Sequence, residues 1–265
     1  LRPARETCEQ CHWPTKHASD TLQVKSVYKD DEPNTELKTA VLLKVGGKAG
    51  RDFTGIHWHV SRDVEIRFQS NESREKIYQL EMTKPDGSVI VYKSNEEAPE
   101  DANHFRIMDC VDCHNRPTHR YDLPDDAVDG AMANGLIDSS LPFVKRESMR
   151  VLQGGYDSHE AAAAQIEQEI TNYYQEAYPE IAAEKAPQIT QAVAELNEIY
   201  SSNVFPAMKV DWGTYPDHSG HDGCFRCHGR LKTEEGEGIP RNCGFCHSVL
   251  AWEEQDPEIL RPINP

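Results

Sequence analysis

The apolar residues of this chain change their spacing along its length. Between residues 21 and 93 they alternate with polar ones: in "DVEIRF" Val64, Ile66 and Phe68 stand among charged neighbours, and in "KIYQLEM" Tyr78, Leu80 and Met82 do the same. A period of two turns one side of a strand inward and the other to water. With the β-rich run "TELKTAVLLKV", and with "KPDGSVIVY" supplying a Pro-Asp-Gly turn, the pattern predicts a small antiparallel sheet with one wet face.

From residue 158 the period becomes helical. "DSHEAAAAQIEQEITNYY" places Ile166, Ile170 and Tyr173 on one face and opens with Asp157 and Glu160 at capping-box spacing. "QITQAVAELNEIYSS" repeats the stripe with Ile189, Val193, Leu196 and Tyr200, which predicts a helical hairpin over 158–202, divided by Pro179 and Pro187. Residues 94–157 read as irregular chain in which Pro117, Pro124 and Pro142 interrupt any long element. The expected fold class is α+β: a small antiparallel sheet plus a helical hairpin, with much irregular structure. It divides into 1–100 and 101–265, or forms one continuous domain.

Composition changes this picture, because 37% hydrophobic against 28% charged residues is a thin supply for a core. Something besides side chains should fill the interior. The formal net charge of −17 excludes a non-specific nucleic-acid surface, which needs excess Lys and Arg. No apolar run approaches the roughly twenty residues of a membrane span, and the first residue, Leu1, leads to the expectation that a signal or anchor segment has been removed. Neither a phosphate loop, a dinucleotide-binding glycine turn nor a nucleophile elbow is present.

All eight cysteines fall into four Cys-x-x-Cys-His pentapeptides: "CEQCH" (Cys8, Cys11, His12), "CVDCH" (Cys110, Cys113, His114), "CFRCH" (Cys224, Cys227, His228) and "CGFCH" (Cys243, Cys246, His247). Cys224, Cys227, Cys243 and Cys246 alone would suit a zinc ribbon. A ribbon leaves the histidine after every pair unexplained, a coincidence on the order of one in a hundred thousand by chance placement. Covalent attachment of haem c (heme c) explains it: two thiols add across the porphyrin vinyl groups and the next residue gives the iron its fifth ligand. Four such groups per chain would supply the missing interior. They also imply a periplasmic or extracellular location, since haem c is attached outside the cytoplasm.

The sixth iron ligand decides between electron transfer and catalysis. In "GIHWHV", His57 and His59 would share one face of a strand, within reach of one haem or of two neighbours. His119 follows His114 too closely to turn round the same porphyrin and is read as a ligand of an adjacent haem. His218 and His221 lie in a Gly- and Pro-rich loop before the third pentapeptide, one read as axial and the other as a propionate partner. His159, in the first turn of a predicted helix, reads as a surface residue. His17 and His104 complete the supply.

The stretches "RPARETCEQCHWP", "GIHWHV", "MDCVDCHNRPTH", "TYPDHSGHDGCFRCH" and "CGFCHSVLAWEE" together resemble the distal part of membrane-anchored multihaem proteins of the NapC/NirT cytochrome c group. That resemblance spans most of the chain in patches and implies bis-histidine electron transfer, with His57, His59, His119 and His221 as sixth ligands. In haem number and size the chain is also similar to soluble tetrahaem cytochromes that polymerise into extracellular filaments. The expected function is a tetrahaem relay of single electrons, not an enzyme. Its expected partners are redox proteins, neighbouring copies of itself or an extracellular acceptor. The alternative is a haem-dependent reductase of a small oxyanion, which needs one open iron site. Metal analysis of the purified protein should return about four irons per chain and no zinc, one iron for each pentapeptide; stoichiometric zinc would establish the ribbon instead.

Overall fold

A computed structural model describes residues 4–12, 19–46, 55–61, 63–102, 104–116 and 118–262. Two compact units interleave along the chain. The first comprises Leu1–Gln23, Val41–Thr118 and Pro216–Ser248, and the second Val24–Ala40, His119–Tyr215 and Val249–Pro265. A single cut near residue 100 therefore does not separate them. Every cysteine lies in the first unit.

The described strands are β1 Thr21–Tyr28, β2 Glu36–Leu43, β3 Glu65–Ser70, β4 Ile77–Thr83, β5 Val89–Lys93, β6 Arg106–Ile107 and β7 His247–Glu254. They form two sheets where the alternation predicted one: β5-β4-β3-β6 in the first unit, and β1-β2-β7. Joining β2 to the last strand of the chain is a long-range pairing that no local pattern announces.

In the first sheet Ile66 and Phe68 are buried as the alternation predicts, but on β4 the buried pair is Ile77 and Leu80, with Tyr78 and Met82 half-buried. The register explains this, because Gln69 faces Gln79 while Ser70 faces Ile77, which leaves Tyr78 as an extra residue. A bulge of this kind carries the strand past one alternation and turns the next side chain inward. These residues form a small core with Cys227 and Leu231, against which Trp58 and Met108 pack.

The helices are α1 Ala4–Cys8, α2 Pro124–Ala133, α3 Val144–Leu152, α4 His159–Ala177, α5 Pro179–Glu184, α6 Ala186–Asn203 and α7 His221–Cys224. The predicted hairpin is α4 and α6, joined through α5. Ile166 and Ile170 are buried in one core with Ile189, Val193, Leu196 and Tyr200. Tyr174 rather than Tyr173 completes the α4 stripe, one full turn beyond Ile170. The helix also starts one residue later than the capping-box spacing suggests, since Ser158 is the N-cap and its hydroxyl accepts from Ala161 N at 3.1 Å.

Residues 94–157 are more regular than their prolines imply. Pro124 opens α2 at the first helical position, where an N–H is not needed and the fixed φ helps. Val128 and Met132 of α2 join Val144, Val151 and Leu152 of α3 in the same core, so apolar packing organises this stretch. Asn34, at a left-handed φ of 49°, ties the turn before β2 to the chain between α2 and α3. Its amide donates to Ser139 O at 2.9 Å and Leu141 O at 2.8 Å, and its oxygen accepts from Lys145 N at 3.0 Å. Replacing the fully buried Leu196 by Ala should destabilise the helical unit by about 2–5 kcal/mol, read as an earlier denaturant midpoint in the helical circular dichroism signal.

Candidate functional site

Each pentapeptide winds as about one turn of helix. The second cysteine N–H donates to the first cysteine carbonyl at 3.1 Å for Cys11 to Cys8, 3.3 Å for Cys113 to Cys110, 3.3 Å for Cys227 to Cys224 and 3.1 Å for Cys246 to Cys243. In the first three the histidine N–H closes a longer turn onto the same carbonyl, at 2.7, 2.8 and 3.1 Å. A spacing of three on such a turn brings two side chains to one face. The eight thiols form no disulfides.

Among the described residues the attachment-site histidines meet other histidines in three places within the first unit. The ring of His57 lies 6.4 Å from that of His114, His59 lies 5.8 Å from His228, and His221 lies 5.8 Å from His247. Two imidazoles on opposite sides of one metal ion, each nitrogen about 2 Å from it, have ring centres about 6 Å apart. Three of the four predicted sixth ligands thus stand at iron-spanning distance from a predicted fifth ligand.

His57 and His59 reach different partners because "IHWHV" is a 3₁₀ turn, Ile56–Val60, and not the strand that alternation suggested. On a strand both rings would share a face; on a turn of three residues a separation of two points them apart. Gly55 makes this turn possible. It adopts φ 91°, and a Cβ there would lie 2.4 Å from Lys44 O. The turn is moored on the preceding chain by Ile56 N to Lys44 O at 2.8 Å and His57 N to Val45 O at 2.9 Å.

Backbone carbonyls set the tautomers. His228 Nδ1 faces Pro240 O at 2.6 Å and His59 Nδ1 faces Ile56 O at 2.8 Å. A carbonyl can only accept, so each Nδ1 carries the proton and Nε2 keeps its lone pair for a metal. Burial holds the His59 imidazole below its ordinary pKa; the hydrogen bond to Ile56 O opposes this and neighbouring His228 adds to it. His221 is placed by α7, where it stacks on Phe225 at 5.0 Å, with the Arg241 guanidinium 3.7 Å from the same ring. α7 packs so tightly that a Cβ on Gly223 would sit 1.8 Å from His218 O.

The remaining histidines divide. His119 lies in the second unit, its ring 4.3 Å from Tyr121 and its Nε2 directed at Ser202 O at 2.8 Å; no attachment-site histidine is among its ring neighbours in the described residues. His159 is not the surface residue expected. It is half-buried, with Nε2 2.6 Å from Val204 O and its ring edge-on to Tyr200 and Phe205. His218 is 5% exposed, and neither ring nitrogen has a hydrogen-bond partner among the described residues; the same is true of His247 Nδ1. His104 is exposed, and His17 lies outside the described residues.

Sequence reasoning passed over the variable positions inside the pentapeptides. Asp112 of "CVDCH" is 1% exposed and accepts from Arg74 at 3.0 Å, Arg106 at 3.2 Å and its own cap at Asp109 N, 2.8 Å. Arg226 of "CFRCH" is also buried and donates to Asp112 O at 2.7 Å. The available signal was a charged residue held between two thiols.

Burial pushes the Cys110 and Cys227 thiols up to about 12, and raises Cys113, Cys224 and Cys246 as well. A zinc ribbon needs thiolates converging on one point, and no group of three or more Cys, His, Asp or Glu able to hold an ion occurs among the described residues. The donor set fits haem c instead. It offers thiols that form no disulfide, imidazoles facing in pairs, and, among the described residues, buried ring nitrogens of His218 and His247 without a hydrogen-bond partner.

Against curated proteins, the chain is 42% identical over 268 aligned positions to the cytochrome c-type protein ImcH of Geobacter sulfurreducens, an alignment covering 97% of this chain and 53% of that protein. The chain therefore spans about half the length of the relative it matches. No family model matches, and no solved structure matches. Exchange of His57 or His221 for Ala should convert one iron in four to high spin in the oxidised electron paramagnetic resonance spectrum, while His159→Ala should leave every iron low-spin.

Proposed function

We propose that the chain, 42% identical over nearly its whole length to a cytochrome c-type protein, is a c-type cytochrome of electron transfer, a tetrahaem relay passing single electrons through histidine-paired sites. The observation that carries this reading is the set of three facing imidazole pairs, His57 with His114, His59 with His228 and His221 with His247. When bound, haem c supplies a one-electron ferric/ferrous couple whose potential follows axial ligand, burial and local charge.

The chain's own residues hold, orient and connect these sites. Cys8 and Cys11, Cys110 and Cys113, Cys224 and Cys227, and Cys243 and Cys246 anchor one group each. The carbonyls of Pro240 and Ile56 fix the ring orientation of His228 and His59. One 3₁₀ turn supplies a ligand to the second site and another to the third, and α7 precedes the third site while its His221 serves the fourth. Adjacent sites thereby share chain segments, which supports transfer in sequence order.

Cys11 and His12 of the first site, Cys224 of the third and Cys243 of the fourth are exposed, which supports exchange of electrons with partners at the surface. The partners we propose are redox proteins, or further copies of the chain joined end to end in a heterologous assembly. Among the described residues no helix is long and apolar enough to cross a membrane. An extracytoplasmic setting, periplasmic or extracellular, is proposed from the mode of haem attachment.

A reductase of a small oxyanion would require an iron with an open position, which a facing imidazole denies at three of the sites. Absorption and electron paramagnetic resonance spectra of the oxidised protein should count four haems and find all of them low-spin. A stoichiometric high-spin iron in the wild-type protein would favour the reductase.

A further inference from the structure

The second and third attachment loops are fastened to each other by an ion cluster in an otherwise acidic protein. Arg226 donates three hydrogen bonds in three directions: Nε to Gly223 O at 2.9 Å, Nη1 to Arg74 O at 2.6 Å and Nη2 to Asp112 O at 2.7 Å. Arg74 takes a left-handed φ of 62°, and its own guanidinium returns to Asp112 Oδ1 at 3.0 Å. Arg106 binds Asp112 Oδ2 at 3.2 Å. Two guanidinium groups therefore bind one buried carboxylate, and a third, that of Arg226, is held on the backbone carbonyl of the same residue.

The surplus is positive, and its innermost member is shielded from water, with Arg226 only 8% exposed. Glu75 and Asp217, which oppose these arginines at His218, are exposed and so more screened by water, and Asp109 is half-buried. His218, buried beside Arg226 and Arg74, is held below its ordinary pKa by burial first and by these cations next. Arg226 lies inside the third pentapeptide and donates to Asp112 O inside the second, so its charge sits between both attachment loops.

A haem iron loses one positive charge on reduction, so a fixed buried cation favours the ferrous form. The surface charge, solvated and screened, acts more weakly. We propose that Arg226, with Arg74 and Arg106, makes the second and third haems the higher-potential pair of the four, an electron well between two lower-potential terminal sites. This rests on the haem reading above and adds an order of potentials to it. Arg226 is a positioning residue as well, since a lysine could carry the charge but not the three directed bonds.

The test is a potentiometric titration of the full haem-loaded chain, followed by absorbance and resolved into its components. Pyridine haemochrome analysis certifies four haems in each sample. In Arg226→Gln the two highest-potential components should fall, each by about a tenfold drop in ferrous-to-ferric ratio at fixed potential, which is about 59 mV for one electron. Arg226→Lys should largely restore the potentials while lowering thermal stability. Arg106→Gln, at a more exposed position that leaves the Arg226 bonds in place, should move the same two components by less; it decides the matter alone if Arg226→Gln does not mature. Potentials that stay fixed, or that shift equally in all four components, would overturn the proposal. Absence of haem from the wild-type protein would overturn the reading beneath it.

Discussion

Two thiols and an imidazole carried on one backbone turn leave a bound iron little freedom relative to the chain. The position of each metal is therefore decided by where its turn lies, and its sixth ligand must arrive from elsewhere to within one metal–imidazole spacing. Much of the first unit can be understood from this demand. Gly55 permits a tight turn that sends two histidines to two sites, and Gly223 lets α7 press against the loop that brings His221 to a third. Because one segment carries both His57 and His59, a displacement of the 3₁₀ turn would move both rings away from His114 and His228 together.

The two units solve the problem of stability differently. The second carries a continuous apolar core from α2, α3, α4 and α6, and hydrophobic burial of that kind needs no cofactor. In the first unit the protein core is small, built on β3, β4 and the segment after Cys224, and polar links hold the attachment loops. Haem-binding chain must remain open enough to admit porphyrins, so directed hydrogen bonds replace packing where packing would fill the space. The arginine cluster around Asp112 is the clearest instance. Breaking a buried charged network by removing one member leaves an uncompensated ion, which costs far more than loss of a surface pair such as Lys76 with Glu96.

Charge has two scales in this molecule. The net −17 is spread over solvated surface, where ions screen it within about 10 Å at ordinary salt. It acts on approaching partners more than on the interior. Around Asp112 three arginines meet one buried aspartate, so the local sign there is reversed, and low polarity lets a few fixed guanidinium groups count for more than many distant carboxylates.

The four attachment pentapeptides, each with its candidate fifth ligand, were legible in the sequence, because all the atoms concerned lie within five consecutive residues. The α4–α6 hairpin and the buried faces of β3 and α6 were legible for a related reason: a period of 2 or 3.6 is written locally. Errors arose where one residue changes the phase, as at the Tyr78 bulge, or where two good caps compete, as Asp157 and Ser158 do. The pairing of His57 with His114 and of His59 with His228, the second sheet through β2 and β7, and the Arg226–Asp112 link all join residues far apart in the chain. Composition offered twelve histidines but no rule for matching them. That matching depends on backbone geometry at Gly55 and Gly223 and on which loops fold against each other, and so it is fixed by long-range packing that a local period or spacing does not record.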